Sequence, residues 1–511
     1  MSGFAVACGH QVTADAAAEI LRSGGTAVDA AIAAALTAMV AEPVLAGLLG
    51  GGFLMIREPS GQARLLDFFV QTPSRVLPDN DVSMDAITAD FGTTTQDFHI
   101  GPGTVAVPGM APGLWEAHAR FGHLPMTEIA APSMTAARQG VQLTGYQARL
   151  AQIVAPILTA TDGAKALHCA DETLLSEGAL YRNADFAAVI EEYAHEGPRF
   201  VTEGEIAKAL LTLQDTGGQV TTDDLRSYTP LWRDPLQRQR GGARVRLNPP
   251  PSMGGTLIAF GLDILPDQPT LGDIVRTLEA TAQARLDTDI MRDPAGGAAR
   301  LHAPDLVEAY HARVRTHRAA TRGTTHISII DGDGQGAALT LSNGEGCGHV
   351  LPGTGIMPNN MLGEDDLLPD GLQSWTPGRR LSSMMAPLVV DWPDGRFAMV
   401  GSGGSNRIRT ALVQVLSGLI DQNAHLVDAI DAPRAHVEIA PDEDGRLATH
   451  IDFEDLGDPE ARDLITQAWP QARLWSERSM FFGGVHAAIA GPSGRRDAAG
   501  DPRRAGVSVL G

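Results

Sequence analysis

The residues best suited to do chemistry stand together in the run Gly323-Thr324-Thr325-His326-Ile327-Ser328-Ile329-Ile330. Small and polar residues come directly before an apolar alternation, which predicts a strand over 327–330. Asp331-Gly332-Asp333-Gly334 is a turn sequence, and 337–341 reads as the returning strand of a hairpin. Two threonines thereby fall at the mouth of a buried strand, where they are expected to be exposed. The glycine before them tolerates an unusual backbone. If the Gly323–Thr324 peptide bond breaks, Thr324 becomes an N-terminus. Its amine then titrates near ~7.7–8.0 and can act as general base for its own hydroxyl. Thr-Thr-His by itself is equally the opening of an ordinary strand, because threonine is a common strand residue.

Three loops are candidates to surround that threonine. The first is Ser342-Asn343-Gly344-Glu345-Gly346-Cys347-Gly348, after the returning strand. Hairpin pairing brings Thr340, Ser342 and Asn343 back to the Thr324 end of the sheet. A hydroxyl there can orient the nucleophile, and an amide can hold a carboxylate. The second is Leu381-Ser382-Ser383-Met384-Met385-Ala386-Pro387, whose adjacent serines offer donors to an anion. The third is Gly401-Ser402-Gly403-Gly404-Ser405, read as a loop before a helix over 407–421. Backbone N–H groups at such a place stabilise an oxyanion. Each loop taken alone is an ordinary turn.

The elements that must position these groups are legible as well. A helix is predicted over 12–23 and a second over 26–41. The second is apolar on most sides and must be buried, against a sheet. Gly47-Leu48-Leu49-Gly50-Gly51-Gly52 then leads into a strand at 53–56. A phosphate loop leaves a strand and opens a helix, so this order points to close packing instead. A strand over 63–67 follows, then a polar, irregular stretch over 77–101. A short strand and turn over 105–109 precede a helix over 111–121, and further helices run to about 216. Asn248-Pro249-Pro250-Pro251-Ser252-Met253-Gly254-Gly255 opens another helix. The stretch 266–323 reads mostly as helix, and 318–323 has the composition of a cleavable linker. Strands are predicted at 388–390 and 396–400.

The 511 residues carry a formal charge of −22, which argues against nucleic acid and anionic membrane surfaces as partners. Cys8, Cys169 and Cys347 are too few and too scattered for a disulfide framework or a zinc site. No metal or other cofactor is expected. No run of ~18 apolar residues suggests a membrane span. The N-terminus does not read as a signal peptide, so a cytoplasmic location is expected.

Taken together, these stretches resemble the γ-glutamyltranspeptidase family of N-terminal nucleophile hydrolases. The matching runs are Gly25-Thr26-Ala27-Val28-Asp29-Ala30-Ala31, Gly50-Gly51-Gly52-Phe53, Val107-Pro108-Gly109 and Pro249-Pro250-Pro251-Ser252. Thr324-Thr325-His326, Pro352-Gly353-Thr354-Gly355-Ile356 with Asn359-Asn360, Leu381-Ser382-Ser383-Met384 and Gly403-Gly404-Ser405 follow in collinear order. The resemblance implies an α/β (α+β) fold, a four-layer αββα sandwich. It implies autocatalytic cleavage into 1–323 and 324–511, two fragments that stay associated as a heterodimer; whether heterodimers pair further is open. By resemblance Thr324 is the nucleophile and Thr340 the threonine that supports it, although the strand connection is about two residues shorter here. Gly403 and Gly404 match the oxyanion glycines, and Ser382 and Ser383 the residues holding the donor α-carboxylate, with Asn343 as a further donor.

Two departures bear on the substrate. The family's Asp-Phe-Arg is Asp67-Phe68-Phe69 here, so an aromatic ring replaces a carboxylate-binding guanidinium. Arg379, Arg380 and Arg407 are replacements by sequence proximity. The acid that binds an α-amine has shifted, leaving Glu364 or Asp365 for that role. Three readings stay open: a γ-glutamyl hydrolase or transferase acting on glutathione-like amides, an amidase or acylase with another acyl group such as a dicarboxylic side chain, and an uncleaved binding protein.

Overall fold

A computed structural model describes residues 3–90, 95–312, 324–364, 367–368, 370–441 and 447–511. The linker at 318–323 and Asp365 lie outside the described residues. Two antiparallel sheets stack face to face. The first has seven strands, ordered Leu231–Arg233, Ala63–Phe68, Gly51–Arg57, Gly336–Ser342, Thr325–Ile330, Ala5–Cys8, Val507–Leu510. The second has six, ordered Leu236–Arg240, Ala243–Leu247, Leu388–Asp391, Phe397–Gly403, Gly484–Ala490, Arg496–Ala499. Helices Gln11–Arg22, Ala27–Ala41 and Met110–Phe121 pack on the first sheet, and Met126–Gln139 packs against Ala27–Ala41. Met253–Ile264, Leu271–Asp287 and Arg407–Ile420 belong to the second sheet's side. The result is the αββα sandwich.

Strand alternation divides the two cores. On Gly51–Arg57, Leu54 and Ile56 enter the core under the first helical layer, while Phe53 and Met55 enter the core between the sheets. On Thr325–Ile330, Ile327 and Ile329 face the helices. His326 and Ser328 face the second sheet, where Ser328 bonds the His486 carbonyl at 3.1 Å.

The helix Ala27–Ala41 is buried along its whole length, as its all-round apolar character requires. Thr26 and Asp29 form a reciprocal capping box at its start. The same end holds the hairpin turn: Ala27 N–H donates to Asp331 at 3.0 Å and Val28 N–H to Gln335 at 3.2 Å. The residue after its last turn, Glu42, accepts from Thr325 Oγ1 at 2.9 Å. Fifteen helical residues at ~1.5 Å each span roughly 22 Å. Six strand residues at ~3.3 Å span roughly 20 Å. Helix and strand therefore match in length, and the helix fixes both ends of the strand that begins after Thr324.

Three expectations change. The polar stretch over 77–101 contains a hairpin, Asp85–Asp90 with Thr95–Ile100, anchored by buried Phe98 and Ile100. At 105–109 only Val107 pairs, as an isolated bridge to Gln71. Gly401 to Gly403 are not a loop; they finish the strand Phe397–Gly403. A Cβ at Gly401 would overlap the His326 ring, and one at Gly403 would overlap the Thr324 carbonyl oxygen. The glycine run Gly50-Gly51-Gly52 is close packing as expected: a Cβ at Gly52 would lie 2.6 Å from the Thr340 carbonyl oxygen.

Gly401→Ala is expected to cost roughly 1–3 kcal/mol, because the His326 ring is clamped and cannot yield freely. Chemical denaturation checks this; an unchanged midpoint would show that the sheets separate easily here.

Candidate active site

Thr324 precedes the first paired residue of its strand and is 5% exposed, so the expected exposed mouth is in fact enclosed. It lines a small, partly enclosed pocket. Ser342, Ser383 and Glu364 line the same cavity, as do Phe69, Met361, Leu367, Met384 and Met385. Ser405 and Ile408, from the start of the helix Arg407–Ile420, complete one side, and Met253 and Arg285 another.

The hydrogen bonds around His326 determine its tautomer. The Ser328 hydroxyl donates to the His486 carbonyl, so toward His326 Nε2, at 2.9 Å, it can only accept. His326 Nε2 thus carries the proton. The ring is neutral, because burial holds its pKa well below the ordinary value and His486 pushes the same way. Nδ1 is then an acceptor, and Thr340 Oγ1 donates to it at 2.7 Å. With its proton committed, the Thr340 oxygen faces other partners as an acceptor. The register sets Thr340 opposite His326, and Leu341 opposite Thr325.

Behind Thr324, Arg504 Nη1 donates to the Thr324 carbonyl at 3.4 Å and Nη2 to the Met480 carbonyl at 3.4 Å. Arg504 belongs to the turn Pro502–Arg504, capped by Asp501. Its neighbour Arg503 is tied to Glu454 and Asp501, which holds the turn in place. On the helix side of the strand, burial pushes the Glu42 carboxyl up to about 7, against the Thr325 hydrogen bond and the Arg504 charge.

The sequence-derived site residues fall into three groups. Thr324, Ser383 and Glu364 meet at the cavity. Thr340, Gly403 and Gly404 do not line the cavity: Thr340 donates to His326, Gly403 lies against the Thr324 carbonyl, and Gly404 follows it at a φ of 121° that favours glycine. Ser382 and Asn343 are used elsewhere and do not line the cavity. Ser382 donates to the Pro251 carbonyl at 2.6 Å, and Asn343 to the Met357 carbonyl at 3.1 Å. Each donates to a nearby backbone oxygen and braces a loop. The arginines near in sequence also serve other ends. Arg380 bonds the Phe69 carbonyl, Tyr228 and Thr229; Arg379 bonds the Arg292 carbonyl; Arg407 lies over the Phe481 ring. Arg285, Arg504 and Glu42 carried no local sequence signal, and Met384-Met385 was visible only as the tail of the serine pair.

A four-layer sandwich with a threonine at the start of an inner strand defines an N-terminal nucleophile hydrolase fold. The structure of a cephalosporin acylase from Bacillus halodurans shares it, with a TM-score of 0.84 over 99% of this chain and 96% of that one, at 21% identity. The family model for gamma-glutamyltranspeptidase matches residues 13–510, and the chain belongs to that family. Among curated relatives, the Acylase ACY 1 proenzyme of Pseudomonas sp. (strain V22) is 32% identical, covering 85% of this chain and 82% of the relative. The Glutathione hydrolase proenzyme of Pseudomonas aeruginosa is 29% identical, covering 86% and 84%. The family thus presents both an acylase and a glutathione hydrolase at similar distance.

Two outcomes follow from the charges. The raised Glu42 pKa means stability present below the ordinary value of 4.5 is lost as pH rises toward about 7. Glu42→Gln should flatten that decline in a melting-temperature series; an unchanged slope would place the titration elsewhere. Arg504 sits against the residue whose amine is the candidate base, and a like charge lowers an amine pKa. Arg504→Met should therefore move the ascending limb of the kcat/KM profile up by ~1 pH unit. A limb that stays in place would remove Arg504 from the tuning of that amine.

Proposed function

We propose that the protein matures by cleavage of its own chain after Gly323, and that Thr324 then attacks an amide. The hydroxyl oxygen adds to the substrate carbonyl while its proton passes to the Thr324 amine. The tetrahedral oxyanion is received by backbone N–H groups of Gly403 and Gly404. The leaving amine takes the proton from the Thr324 ammonium and departs, leaving an ester on Thr324 Oγ1. Water or an acceptor amine then attacks the ester by the same route and restores the hydroxyl. Thr340, its proton held by His326, presents an oxygen that accepts from the threonine hydroxyl or ammonium.

The observation that carries this reading is Thr324 in the wall of a cavity that also holds Ser383, with glycine-only backbone packed behind it. The relatives' names as proenzymes support maturation. After cleavage the fragments stay together, because Thr325–Ile330 pairs on one side with Ala5–Cys8 of the first fragment. Gly336–Ser342 likewise pairs with Gly51–Arg57.

For the acyl group we favour an unbranched chain ending in a carboxylate, as in a dicarboxylic side chain. Phe69, 1% exposed and stacked on Phe53 at 5.7 Å, occupies the place of the family's carboxylate-binding arginine. Met361, Met384, Met385 and Leu367 supply an apolar, adaptable wall. The second reading is a γ-glutamyl donor, favoured by Ser383 and Glu364 in the same cavity, the latter suited to an α-ammonium.

N-terminal sequencing of the small fragment should begin at Thr324, and Thr324→Ala should remain one intact, inactive chain. A start at any other residue contradicts the mechanism. Glutaryl and γ-glutamyl anilides compared side by side should favour the glutaryl compound in kcat/KM; a strong preference for γ-glutamyl would reverse the assignment.

A further inference from the structure

We propose that Arg285 is the group that receives the far carboxylate of the acyl donor. The inference rests on the amide-cleaving reading of the same cavity and adds the residue that selects its substrate. With Phe69 where the family has an arginine, the cavity needs another cation to hold a carboxylate. Arg379, Arg380 and Arg407, which stand near the Ser382-Ser383 and Gly403-Gly404 runs in sequence, do not line it. Arg285 does, and among the described residues it is the cation of the lining.

Its position is built rather than incidental. Arg285 lies in the last turn of the helix Leu271–Asp287, where the helix dipole favours a cation. It is 9% exposed. Its Nη1 meets Glu438 Oε1 at 3.3 Å, on the strand Ala435–Pro441 that packs along that helix. Asn406, directly before the helix Arg407–Ile420, donates to the same Glu438 oxygen at 2.8 Å. Glu438 thus orients the guanidinium, and Asn406 orients Glu438. A guanidinium is planar and always charged, and its five donors in a fixed fork suit a carboxylate.

The cavity then separates its tasks. Thr324 holds the reacting end, Phe69 and the methionines pack the methylene chain, and Arg285 takes the terminal carboxylate. Glu364 lines the cavity too, so a donor with an α-ammonium and one without it share the Arg285 contact and differ at Glu364. No contact with Arg285 forms for a neutral acyl chain of equal length.

The test compares glutaryl anilide with pentanoyl anilide, which replaces the carboxylate by a methyl-terminated chain, in the wild type, Arg285→Met and Arg285→Lys. Losing a buried charged partner should cost the glutaryl substrate about 30-fold or more in kcat/KM, mostly through KM. The pentanoyl substrate should change little, and Arg285→Lys should fall between. Equal losses on both substrates, or none on either, overturn the proposal. Glu364→Gln, assayed on γ-glutamyl and glutaryl anilides, tells whether an ammonium is read as well. Glutarate titrated calorimetrically into wild-type protein and Arg285→Met keeps the two readings distinguishable. Binding lost only in the variant supports the carboxylate site even if no anilide is cleaved; equal binding by both proteins overturns it.

Discussion

The site depends on how closely two sheets approach at the end of the strand Phe397–Gly403. Gly401 lies against the His326 ring and Gly403 against the Thr324 carbonyl, with no space for a Cβ at either. His326, Ser328 and Thr340, in the polar layer between the sheets, are fully buried. That leaves them to satisfy one another and the His486 carbonyl. A buried polar group without a partner is costly, so the layer specifies its geometry strongly. The same approach puts the backbone of Gly403 beside Thr324, where a side chain would otherwise stand.

The first helical layer acts on the opposite face. Ala27–Ala41 carries small side chains that let it lie close to the hairpin, and it grips the turn at Asp331 and the mouth through Glu42 and Thr325. Thr324 is held between this helix-fixed strand and the glycine strand. Arg504 adds a positive charge, and Glu42 a carboxyl that burial pushes up to about 7. The electrostatics around Thr324 thus come from residues at both ends of the sequence.

How much was legible in the sequence follows from this. The Thr324 hairpin was visible because its pairing is local and its turn chemistry explicit. The helix Ala27–Ala41 was visible because all-round apolarity has one structural outcome. The end of the strand Phe397–Gly403 read as a loop because glycine has low strand propensity, and only the partner sheet explains glycines there. The hairpin Asp85–Asp90 with Thr95–Ile100 was hidden by its polar residues, around the buried anchors Phe98 and Ile100. Ser383, from the serine pair, and Glu364, offered with Asp365 where the family's acid has shifted, both line the cavity, while Ser382 and Asn343 donate to Pro251 and Met357. Arg285 was not visible beside the serine pair, because a helix remote from that pair in sequence brings it to the cavity.

The central claim is that the Thr324 hydroxyl carries the acyl group during turnover. Protein turning over glutaryl anilide, quenched in acid and digested, tests it directly by peptide mass spectrometry. The account predicts the glutaryl mass increment on the peptide that begins at Thr324. The increment on a peptide containing Ser383 in its place, or on none while turnover proceeds, would contradict it.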